Sequence, residues 1–112
     1  MNNNLLGLKV NLVISDPWDL VSECGAGPFS GTIKEIDQGE ALIGLDKLIS
    51  CRGTQYFTAK VTARPQGKEL QTITNEETVA VNMMFISTNE VSLNHISGNT
   101  LAAIGNIEMH VH

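Results

Sequence analysis

Cysteine is scarce in this chain of 112 residues: Cys24 and Cys51 are the only two. That is far too few for a small disulfide scaffold, and neither lies in a C-x-x-C pair, so zinc-ribbon and thioredoxin spacings are both missing. Three prolines and ten glycines exclude a collagenous or low-complexity chain. No apolar run reaches the 18 residues of a membrane helix, and the N-terminal stretch MNNNLLGLKVNLVIS has neither a basic leader region nor a small-residue cleavage site. These absences predict a cytoplasmic protein with two buried or inert thiols, no membrane association and no implied cofactor. Aromatics number five, so stacking on nucleic-acid bases has little to work with.

The length predicts a single β-rich domain over 1–112. Surface scaling predicts about 6,000 Å² exposed after folding, against about 17,500 Å² unfolded. Apolar residues make up 42% and charged residues 17%, with a mean hydropathy of +0.02, a globular composition. The net charge is −5, whereas general nucleic-acid binders are usually basic. Its distribution is segmented. Residues 1–46 carry seven acids against Lys9 and Lys34; residues 47–68 carry Lys47, Arg52, Lys60, Arg64, Lys68 and no acid; residues 69–112 carry five acids and no base. The blocks therefore read −5, +5 and −5, which predicts charge complementarity between neighbouring strands or a basic patch on an acidic body.

Period-two alternation dominates. Val10, Leu12 and Ile14 lie on one face of a first strand; Phe29, Gly31 and Ile33 alternate with Ser30, Thr32 and Lys34 in a second. Asp37-Gln38-Gly39 supplies a turn into a third strand at 41–45. In segment 56–64, Phe57, Ala59, Val61 and Ala63 read as inward, and Tyr56, Thr58, Lys60, Thr62 and Arg64 as an outward ladder. Pro65-Gln66-Gly67 suits a turn, after which 69–73 is expected to pair back. Segment 79–86 is apolar on both faces, as for a strand covered twice or a homodimer contact. Near the C-terminus Leu101, Ala103, Ile107, Met109 and Val111 read as inward, with Gly105 marking a bulge or bend. One short helix is expected near 17–23, with Asp16 as N-cap and Pro17 at its first position. Six or more short strands predict a mainly β fold, a small antiparallel barrel or sandwich of SH3-like or OB-like type, partly open.

Reactive constellations are few. Glu108, His110 and His112 point to one face of a strand and are weak metal candidates, outweighed by a solvated polar face at a fraying end. Cys24 follows a helix C-terminus beside Glu23, the wrong field for a nucleophile. Gly25-Ala26-Gly27 is followed by Pro28 and not by a helix, unlike a phosphate loop. Trp18 reads as a cap on one barrel end or as a recognition anchor.

The sequence thus predicts a non-catalytic β-barrel acting as a protein–protein interaction or accessory module, through separated charge and strand addition. Trp18, Tyr56, Lys60 and Arg64 are its binding candidates. The partner is a protein or a second copy. The alternatives are an OB-like or SH3-like barrel binding nucleic acid or another polyanion through 47–68, and a metal-dependent enzyme using the C-terminal histidines.

Overall fold

Six antiparallel strands follow one another around a closed barrel in a computed structural model that describes residues 6–14, 27–37, 39–51, 53–63, 70, 78–86 and 100–111. They are β1 (Lys9–Ile14), β2 (Phe29–Asp37), β3 (Glu40–Cys51), β4 (Thr54–Ala63), β5 (Thr78–Ile86) and β6 (Thr100–Val111). Each pairs with the next, and β1 closes on β6 through Val10↔Val111 to Ile14↔Ile107. The antiparallel barrel is the expected class. Its strand order is a simple meander and its closure complete, whereas an OB-fold is a partly open Greek key. The helix near 17–23 lies outside the described residues, as does most of the strand foreseen at 69–73, of which Leu70 is a buried core residue.

Alternation builds the core. Val10, Leu12, Ile33, Ile43, Val61, Val81, Met83, Phe85, Ile107 and Met109 are all at most 2% exposed, and no polar side chain among the described residues is buried with them. Small residues stand where large ones arrive. Ala59 lies opposite Phe85, and a methyl group on Gly31 would collide with Ile43 and the Gly44 carbonyl. The Phe85 ring meets Phe29 edge-on at 5.5 Å and tilts against Tyr56 at 5.7 Å. The folded surface is 6128 Å², close to the scaling expectation. Asp37↔Glu40 closes the expected turn around Gly39, whose φ of 84° suits a residue without Cβ.

Several expectations are corrected. Tyr56 is inward and only 4% exposed, while Phe57 is half-buried, so the outward ladder does not include Tyr56. The cause is a register shift on β3, which moves the phase of β4 between Tyr56 and Ala59. Segment 79–86 is two-faced only at its end. Ala80 and Asn82 are exposed, whereas Met84 is half-buried and Ile86, on the outer face, is fully covered. A second shift sets residues 104–106 against Asn82, the irregularity expected at Gly105. Closure removes the open sheet edges on which strand addition was expected. Cys51 is buried as expected but is disulfide-bonded, so its reading as an inert thiol is corrected, whereas Cys24 lies outside the described residues. No helix among the described residues is long and apolar enough to cross a membrane.

Candidate functional site

The barrel wall parts between β3 and both of its neighbours. Between Gly44↔Thr58 and Ile49↔Tyr56, four residues of β3 (45–48) stand against one of β4, Phe57. On its other side β3 pairs with β2 only from Gly31↔Leu45 onward, while Phe29 and Ser30 stay on β1 opposite Leu12 and Asn11. Asp46, Lys47 and Leu48 therefore have no register partner on either neighbouring strand among the described residues. Bulges of this kind re-aim side chains and are enriched beside functional sites.

A cleft of about 390 Å³ opens where the strands diverge, lined by Pro28, Phe29, Ser30, Asp46, Lys47, Leu48 and Ile49. Leu48 is 52% exposed, one of two large apolar side chains so placed among the described residues. Asp46 is compensated by Lys9 at 3.2 Å, an exposed pair. Lys47 is exposed and faces no carboxylate within ion-pair distance among the described residues. The cleft thus combines an apolar floor, a neutralised carboxylate and an ammonium without a counter-ion among the described residues.

Lys60, one of the four binding candidates, is placed differently. Its Nζ meets Glu40 Oε2 at 2.9 Å, with its side chain 19% exposed. It lies between Leu42 and Met84 in one row of the outer face. A lysine in such a row covers apolar neighbours with its methylenes while its ammonium reaches a carboxylate. Here a cation of the basic block answers an acid of the preceding block, as strand-to-strand complementarity predicts. Trp18, Arg64 and His112, together with Arg52 and Lys68, lie outside the described residues.

Glu108 and His110 share an outer face of β6 at 3.6 Å (Oε2 to Nε2), and His110 Nδ1 lies 3.0 Å from Thr78 Oγ1. A single hydroxyl and a single carboxylate thus occupy the two imidazole nitrogens. Among the described residues no group of three metal-ligating side chains occurs.

The sequence reading missed the bulge, although it carries a signal. Residues 41, 43, 45, 49 and 51 share the inward parity of β3, and Lys47 falls on it while Leu48 falls outside. A regular strand would bury the ammonium and expose the leucine at two successive positions, which burial energetics disfavours. Comparison with protein families, curated proteins and solved structures returns no match.

Proposed function

We propose that this barrel is a non-catalytic interaction module that meets a protein partner at the β3 bulge. The observation that carries the reading is Leu48, a leucine left 52% exposed at the mouth of a cleft already floored by Phe29 and Ile49. An apolar anchor at the centre of a pocket, ringed by polar groups, is the usual anatomy of an interface hot spot. A polyanion reading through 47–68 draws less support, because Lys60 is held by Glu40 and, among the described residues, Lys47 is the one cation of that block at the cleft. The test is a photo-crosslinking residue placed at position 48 or, for comparison, at exposed Ala80, with the protein expressed in its own cell. A discrete adduct with one protein species from position 48 and none from position 80 is expected. Equal labelling from both positions, or none from 48, contradicts the proposal.

A further inference from the structure

The chemistry of the partner segment follows from the cleft, and this step rests on the reading above. We infer that the parted seam between β2 and β3 receives an extended peptide as an added strand, with an apolar side chain followed by a carboxylate. Three features of the seam point to that occupant. First, residues 46–48 of β3 have no register partner on β2 or β4, and Phe29 and Ser30 beside them are paired on the β1 side alone. Strand addition requires such a stretch, since main-chain groups supply the affinity and alternate side chains the specificity. Second, the lining is apolar at Pro28, Phe29, Leu48 and Ile49, which suits one buried side chain of the incoming strand. Third, the local charge is positive on an acidic chain. Lys9 cancels Asp46 at 3.2 Å and leaves Lys47 without a counter-ion among the described residues. A carboxylate on the incoming strand completes that pair, whereas a cationic segment would bring like charge against Lys47.

The inference is tested by selecting random heptapeptides displayed on phage against the wild-type protein. The enriched sequence is then synthesised with a fluorescent label and titrated by anisotropy. The expected consensus has an apolar residue with Asp or Glu within two positions after it. Its affinity should fall by about tenfold or more with Lys47→Glu, as for loss of a hydrogen bond to a charged group. It should also fall with added salt and on N-methylation of alternate peptide bonds, and stay unchanged with Asn82→Asp on the β5 outer face. A basic consensus, no consensus, or binding indifferent to both Lys47→Glu and N-methylation overturns the inference. The two proposals separate cleanly. If the position-48 crosslink survives Lys47→Glu in the cell while no acidic peptide binds, the interaction module stands and this partner chemistry is wrong.

Discussion

Along β1 the pairing is continuous on both sides, Lys9 to Leu12 against β2 and Val10 to Ile14 against β6, whereas β3 parts from both of its neighbours over residues 46–48. The two stretches handle their outer faces differently. Beside β1 the polar groups bond to one another across the strands. The Ser30 hydroxyl donates to Asn11 Oδ1 at 3.0 Å, and Thr78 meets His110 at 3.0 Å. On β3 residues 46–48 have no register partner on either neighbouring strand, and Lys47 has no counter-ion among the described residues. A wall that hydrogen-bonds with itself offers a partner little, and the β3 bulge departs from that pattern beside a cleft.

The comparison can be broken at the core that both stretches share. Phe85→Ala removes the ring that joins Phe29, at the cleft, to Tyr56 behind the bulge, and should cost about 3–5 kcal/mol in urea unfolding. An unchanged midpoint would show that the two stretches are not built on one core. Next in size is the cross-link at the end of β3. If Cys51 is joined to Cys24, a loop of about 27 residues is closed, and reduction should cost about 3–4 kcal/mol. Thiol titration in denaturant without reductant should find no free thiol. Two reactive thiols would contradict the bond.

Gly31 sits at the point where β2 and β3 begin to pair, and Gly31→Ala forces a methyl group against Ile43 and the Gly44 carbonyl. The expected loss is about 1–3 kcal/mol, as for overpacking elsewhere in protein cores. A neutral result would mean that the seam yields easily. Smallest is Lys60→Ala, which breaks a partly exposed pair with Glu40 and should cost about 0–1 kcal/mol, more at low salt than at high. A loss well above that range would show the row Leu42–Lys60–Met84 to depend on the lysine stem.

What was legible in the sequence follows from where alternation is undisturbed. Val10 and Leu12, Gly31 and Ile33, Ala59 and Val61, and Ile107, Met109 and Val111 all face inward as read, because one buried face forces period two. Tyr56 was misread because its orientation depends on an insertion in the strand opposite, which its own neighbours cannot report. The same insertion hid the cleft, since Leu-Asp-Lys-Leu at 45–48 contains no glycine or proline to mark a break, and only the parity of Lys47 and Leu48 betrays it. Closure was not legible either. The meeting of β1 and β6 joins segments about a hundred residues apart, and short-range pattern carries no information on strand order.

The central claim is that β3 is unpaired at residues 46–48 beside a cleft, and amide hydrogen exchange followed by NMR reads it directly. The account predicts that the amides of Asp46, Lys47 and Leu48 exchange at least about 100-fold faster than those of Leu12, Val61 and Met109, which open only with the core. Equal protection at residues 46–48 and in the core would show a continuous ladder on β3 and leave the proposed seam without a physical basis.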